Sequence, residues 1–158
     1  FNIIGDGDLL DKYKNLLYGM PNVTFFGSMS RQKLLPYLEE SDLLYFSSFA
    51  SKIWEYGWSP NKILDYMCSG TPVLASYSGF RSMVNEAECG FFVDAENVEQ
   101  LVQMIERIVK EVPIEVLGAM GMAGRRWIFE NRTWEGIAND FIEQLYLNNL
   151  ILERDEGN

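Results

Sequence analysis

Short apolar runs recur along the chain, each followed by a stretch of helical periodicity: Ile3-Ile4, Val23-Thr24-Phe25-Phe26, Leu43-Leu44-Tyr45-Phe46, Val73-Leu74-Ala75 and Phe91-Phe92-Val93. This alternation constrains the fold more than any other feature. Strands separated by helices pair in parallel, through crossover connections, rather than as hairpins. Runs that are apolar at nearly every position belong to strands covered on both faces. The pattern predicts strands at about 1–4, 23–26, 43–46, 72–75 and 90–93. Helices are expected at about 8–18, 31–40 (with Ser30 as cap), 60–69, 97–110, 114–130 and 134–150, with a short turn or helix near 80–86. The fold class is α/β with a mostly parallel sheet.

Ligands of such sheets bind beyond the C-terminal ends of the strands. Four loops are expected there, on one edge: Gly5-Asp6-Gly7, Gly27-Ser28-Met29, Ser47 to Ser59, and Tyr77 to Arg81. Gly5-Asp6-Gly7 lacks the third glycine of a dinucleotide fingerprint, which favours a tight strand-to-helix turn over an NAD site. Gly27, Ser28 and Met29 suit a base edge held by backbone groups with Met29 on its face. Trp54, Tyr56 and Trp58 offer stacking surfaces for a sugar or base, or else pack their own loop. Glu55 and Asp65 invite comparison with the paired carboxylates of glycoside hydrolysis, but nothing in the sequence sets their separation. Trp127 and Trp134 read as core or interdomain packing.

The segment from Ser59 to Ser76 carries the most chemistry. Ser59 is a natural N-cap and Pro60 suits the first helical position. Ile63, Leu64, Met67 and Cys68 follow at helical spacing, Gly70 is a natural C-cap, and Pro72 forbids continuation. Lys62 and Asp65 are three apart and share a face. A cation in the first turn opposes the helix dipole, and an anionic ligand bound there resolves the conflict. The competing explanation is a solvated Lys–Asp pair.

Composition removes several classes of function. A length of 158 residues fits one domain, read as residues 1–150 with a disordered tail at 151–158. A net charge of −10 argues against nucleic acid and against anionic membrane surfaces. No apolar run approaches the roughly 20 residues that span a bilayer. With no histidine in the chain, a Ser-His-Asp triad, a Cys-His dyad and a His-based zinc site are all excluded within it. No Asp-x-Asp cluster suggests a metal, and no cofactor is expected. Cys68 and Cys89 are expected as buried thiols rather than a disulfide. Phe1 already lies in an expected strand, so the chain is expected to be part of a longer protein.

Six blocks carry a resemblance: Ile3-Ile4-Gly5-Asp6-Gly7, Val23 to Gly27, Asp42 to Ser48, Asp65 to Val73, Gly90 to Val93, and Thr133-Trp134. In order and spacing the chain resembles the C-terminal, donor-binding domain of retaining GT-B glycosyltransferases of the group 1, or family 4, type. The resemblance implies a Rossmann-like three-layer domain, the C-terminal half of a GT-B fold. It implies a nucleotide-sugar donor, usually UDP- or GDP-linked, and an acceptor bound through an N-terminal domain not contained in this sequence. The family's paired acids are spaced Glu-x7-Glu. The second, which clasps the ribose, falls on Asp65, and the first, which contacts the donor sugar, falls on Gly57. Glu55, two residues away, is the alternative sugar contact, with Trp58 beside it. Ser59, Asn61 and Lys62 would form the diphosphate site, with Lys62 stabilising the leaving group. Gly5, Gly27, Ser28 and Met29 would complete donor binding. The Pro60-Asn61-Lys62 opening resembles a subset associated with amino-sugar transfer in bacterial surface polysaccharide synthesis. The implied enzyme is a cytoplasmic retaining glycosyltransferase, peripheral to the inner membrane through the absent domain, which uses a UDP-sugar and a glycan or lipid-linked acceptor and is inactive as this piece alone. The rival functions are a non-catalytic nucleotide- or sugar-binding module, which Gly57 favours, and a UDP-sugar 2-epimerase, which the lack of histidine disfavours. A receiver-like signalling domain would need acids clustered at strand ends, and Asp42 precedes its strand.

Overall fold

The structure is a computed structural model that describes residues 1–57 and 59–148. The chain forms two compact units, Phe1–Glu40 and a second from Ser41 onward. In the first unit, strands β1 (Asn2–Ile4) and β2 (Thr24–Gly27) pair in parallel, Asn2 against Thr24. A register shift after Ile3 brings Ile4 opposite Gly27. Helices α1 (Leu10–Leu16) and α2 (Arg31–Glu39) follow the two strands. The rings of Phe26 and Tyr37 meet at 5.0 Å and hold α2 to its strand.

The second unit holds a parallel sheet in the order β3 (Leu44–Ser47), β4 (Val73–Ser76), β5 (Gly90–Val93). Helices α3 (Asn61–Ser69), α4 (Met83–Glu86), α5 (Val98–Glu111), α6 (Ile114–Asn131) and α7 (Trp134–Leu147) complete it. β4 is central and buried at every position, as its apolar run requires. Because side chains alternate along a strand, the register sends Val73 and Ala75 to one face with Phe46 and Phe92. Leu74 goes to the other face, with Phe91 and Val93. Ile63 and Met67 of α3, Met83 and Val84 of α4, and Ile128 of α6 cover the first face. Leu101, Met104, Ile105 and Ile108 of α5, with Leu117, cover the second. The unit is thus three-layered. Ile63, Met67, Val73 and Val84 are wholly buried, each worth about 1.5–3 kcal/mol against exposure.

The expected elements are present with boundaries moved by one or a few residues. Every strand pair is parallel, and hydrogen bonding groups the strands in two sheets. Part of the expected loop after β3 is a 3₁₀ turn, Lys52–Tyr56, started by the Ser51 hydroxyl, which accepts from Ile53 N–H at 3.3 Å. Ser59 is not the cap of α3. Pro60 occupies that place in an extended conformation (φ −74°, ψ 139°), and its carbonyl accepts from Ile63 N–H. The fixed φ of proline serves the cap as well as the first turn, so the helix begins one residue later than expected. Ser30 holds the cap position of α2 but makes no capping bond through its side chain. Cys68 and Cys89 are thiols that form no disulfide with each other. Cys89 is fully buried and its thiol is pushed up to about 11 by desolvation, whereas Cys68 is only half-buried. Trp127 packs against the first face, while Trp134 is 89% exposed and, among the described residues, belongs to no core cluster. The expected tail at 151–158 lies outside the described residues.

α3 ends where Gly70 takes the left-handed conformation (φ 80°), open to glycine without strain. There α6 crosses the α3–β4 turn at backbone distance. A Cβ built on Gly121 would clash with Gly70 O, far closer than van der Waals contact allows, and one on Gly124 would stand 2.8 Å from Cys89 Cβ. Gly121→Ala should therefore destabilise the protein by about 2–4 kcal/mol through overpacking against backbone that cannot yield. Equilibrium urea unfolding beside Gly118→Ala, whose Cβ meets nothing within 4 Å, checks this.

Candidate functional site

The C-terminal ends of β3 and β4 open into a cavity of about 660 Å³ within the second unit. Its lining carries hydroxyls, from Ser47 at the end of β3, Ser48 just beyond it and Ser76 at the end of β4. Tyr45 Oη lies 3.0 Å from Ser76 Oγ, and Ser48 Oγ donates to Ser76 O at 3.3 Å. Phe49 and Trp54 form an aromatic wall, their rings 5.7 Å apart. Gly57, Ser59 and Pro60 bring the cavity up to the start of α3, and Glu96, Asn97 and Val98 close the side next to β5. Among the described residues of this lining, Glu96 is the only ionisable acid or base beside the phenol of Tyr45.

α3 starts at this rim. Asn61 and Lys62 are exposed in its first turn, and no acid stands there to satisfy the helix dipole. Asp65 lies one turn on, partly buried. The helix is held from below by Ile63 and Met67, so its N-terminus is fixed by the core. Its other partly buried polar group, Tyr66, donates to Tyr45 O at 3.4 Å, and burial raises its phenol above the usual range.

Of the loop's aromatic residues, Trp54 packs against its own loop and the core. Trp54 Nε1 donates to Phe49 O at 2.9 Å and its ring packs on the first-face core. Tyr56 is 90% exposed. Trp58 lies outside the described residues. Glu55 is exposed and does not line the cavity. Gly57 does line it, with φ +123°. A side chain there would be strained, so this backbone favours the glycine over an acid at that position.

Gly5, Gly27, Ser28 and Met29 belong to the first unit. Gly5 N–H donates to Gly27 O at 2.8 Å, which joins the two glycine turns directly. Ser28 and Met29 line a second hollow with Phe26, Ser30, Lys33 and Tyr37. The sequence-expected residues thus fall into two groups, one per unit. The turn after β5 was not expected at the site. Its Glu96 adopts φ +63°, and no glycine, asparagine or aspartate marks that left-handed position in the sequence.

One carbonyl joins the loop between β3 and α3 to the turn after β4. Trp54 O accepts from Gly57 N–H at 3.4 Å, from Tyr77 Oη at 3.2 Å and from Phe80 N–H at 2.8 Å. Tyr77 Oη also lies 2.9 Å from Phe80 O. Gly79 permits this approach, since a Cβ there would stand 2.6 Å from Trp54 Cβ. Tyr77→Phe should cost about 1–2 kcal/mol, because the ring stays buried while the hydroxyl bonds are lost. Urea unfolding gives the magnitude, and faster proteolytic nicking between Phe49 and Gly57 locates it.

The sequence matches the family described as glycosyl transferases group 1 over residues 1–111. No curated protein matches. Among solved structures, sucrose-phosphate synthase from Thermosynechococcus elongatus superposes with a TM-score of 0.70 at 21% identity, over 94% of this chain and 38% of that one. A glycosyltransferase from Rickettsia africae gives 0.69 at 18% identity, over 90% of this chain and 38% of that one. Anabaena HepE in complex with UDP-glucose gives 0.64 at 18% identity, over 92% of this chain and 40% of that one. The chain therefore spans about two fifths of the length of these proteins. The α/β architecture is the Rossmann-like one of GT-B enzymes. With the family match covering most of its length, the chain belongs to the group 1 glycosyltransferases.

Proposed function

We propose that this chain is the donor-binding part of a retaining glycosyltransferase that takes a UDP-sugar. The observation that carries the reading is the start of α3: an exposed lysine in an acid-free first turn, at the C-terminal end of a parallel sheet, with a carboxylate one turn on. A diphosphate suits that turn, where helix N–H groups and the Lys62 ammonium favour negative charge. Asp65 is read as the partner of the ribose hydroxyls. Ser59 and Asn61 are read as part of the diphosphate site, and the sugar extends towards Gly57. UDP as the nucleotide is supported by the complexes of Anabaena HepE with UDP and UDP-glucose.

In the proposed reaction the bond from the sugar's anomeric carbon to the diphosphate oxygen breaks. A bond from the acceptor hydroxyl oxygen to the same face of that carbon forms. The acceptor's proton leaves with the diphosphate, whose developing charge Lys62 and the α3 N-terminus stabilise. The acceptor, a glycan or a lipid-linked sugar, is read as bound through a part of the protein outside these 158 residues. A bacterial surface-polysaccharide role at the cytoplasmic face of a membrane is part of the same proposal. Among the described residues no helix is long and apolar enough to cross a membrane. Gly57 keeps a second reading in view, a binding module without transfer activity, because the family's first acid is absent and the backbone disfavours one.

Lys62→Ala in the full-length protein should weaken UDP by about 10-fold or more while leaving uridine nearly unchanged, since the ammonium meets only phosphate. Calorimetry with both ligands decides it. Equal losses would move Lys62 to the nucleoside.

Asp65→Ala should weaken UDP by about 1.5–3 kcal/mol, the worth of a hydrogen bond to a charged group. It should weaken uridine by a similar amount. Unchanged affinity for both would return Asp65 to a purely structural role. Donor turnover by the full-length protein, followed by mass spectrometry, separates the transferase from the binding module.

A further inference from the structure

The β5–α5 turn is gripped from several sides. The carboxylate of Glu96 (Oε2) accepts from Ala50 N–H at 3.1 Å, across 46 residues of sequence. Ser78 Oγ accepts from the neighbouring Ala95 N–H at 3.0 Å. Asp94 N–H donates to Gln100 Oε1, and Gln100 Nε2 donates back to Asp94 Oδ2, both at 2.9 Å. Asn97 Oδ1 caps α5 through Gln100 N–H at 3.0 Å. Within this frame Glu96 sits at φ +63°, a conformation that L side chains rarely adopt. A surrounding structure that over-determines a strained residue is the usual sign that its position matters.

Glu96 has no structural need to be glutamate for its own backbone, since glycine would suit φ +63° better. What glutamate adds is reach. Its side chain spans the cavity rim to the first residues after β3, whose neighbours Ser48 and Phe49 line the cavity together with Glu96 itself. Ala50 precedes the 3₁₀ turn that leads through Gly57 and Ser59 into α3. The Trp54 carbonyl fixes the far end of that loop, and Glu96 fixes the near end.

We infer that Glu96 is a positioning residue: its carboxylate latches Ala50 and so holds the 48–57 loop in the geometry that presents Gly57, Ser59 and the α3 N-terminus to the nucleotide-sugar. The part concerning the ligand rests on the function proposed above; the latch itself rests on the geometry alone.

The test uses the full-length protein and three variants, Glu96→Ala, Glu96→Gly and Glu96→Gln. Hydrogen exchange of peptides covering 48–57 is followed without ligand, and UDP affinity is measured by calorimetry. The alanine and glycine variants should exchange about 3- to 10-fold faster in this loop, the worth of one hydrogen bond. Both should bind UDP about 3- to 10-fold more weakly. The glutamine variant keeps an acceptor oxygen and should stay within about twofold of wild type in both measurements. The glycine variant relieves the backbone strain and should melt no lower than wild type, which separates loop positioning from global stability. Unchanged exchange, a glutamine variant no better than alanine, or faster exchange with full UDP affinity would overturn the inference. Failure of the wild type to bind UDP would instead overturn the donor reading, while the exchange data would still decide the latch.

Discussion

Gly121 lies so close to the Gly70 carbonyl that no side chain fits between α6 and the end of α3. Much of the second unit depends on this approach. It fixes α3 at its C-terminal end, where the helix gives way through Thr71 and Pro72 to β4. It also lets Gly124 of the next turn seat against Cys89, just before β5. The α6 helix thereby touches the segments entering both β4 and β5, and Ile128 continues the same packing over the first face. With one end of α3 held against backbone and its Ile63 and Met67 side chains wholly buried, the opposite end has little freedom. A helix that must present charge to a ligand at its N-terminus benefits from being immobile, since preorganised groups need no rearrangement when the ligand arrives.

The charge balance gives Lys62 its weight. In a chain of net charge −10, any nucleotide diphosphate, the donor class proposed above, would meet an overall repulsive field, and attraction would have to be local. The ion pairs on α5, Glu106 with Lys110 at 2.8 Å and Arg107 with Glu111 at 3.7 Å, are surface pairs spaced four apart. Their hydrogen bonding lowers the Glu106 carboxyl and raises the Lys110 ammonium, but such exposed pairs contribute little to stability. The first turn of α3 is different, because it carries a cation against the dipole and holds no acid of its own.

What was legible in the sequence was what depends on local chemistry. The apolar runs become strands, Gly70 and Pro72 end α3, and Lys62 and Asp65 fall on one helix as their spacing requires. Ser59 was misjudged because Pro60 is equally suited to the cap and to the first turn, and only the path of the preceding loop distinguishes them. The grouping of strands into two sheets was not legible, since apolar runs do not state their partners. Least legible was Glu96, whose role comes from a contact 46 residues away and from a left-handed backbone that its residue type does not announce. Glu55, by contrast, looked suited to the site on proximity in sequence alone, and it lies off the cavity.

The single carbonyl of Trp54 serves three donors drawn from two different loops. A carbonyl has two lone pairs, so three donors crowd it: the bond from Phe80 N–H at 2.8 Å is the shortest, and the one proton of the Tyr77 hydroxyl is shared with Phe80 O at 2.9 Å. The β3–α3 loop and the β4–α4 turn are therefore tied to each other at one oxygen, beside a cavity that Trp54 itself lines, so a side chain altered in either segment is felt by the other at the cavity wall.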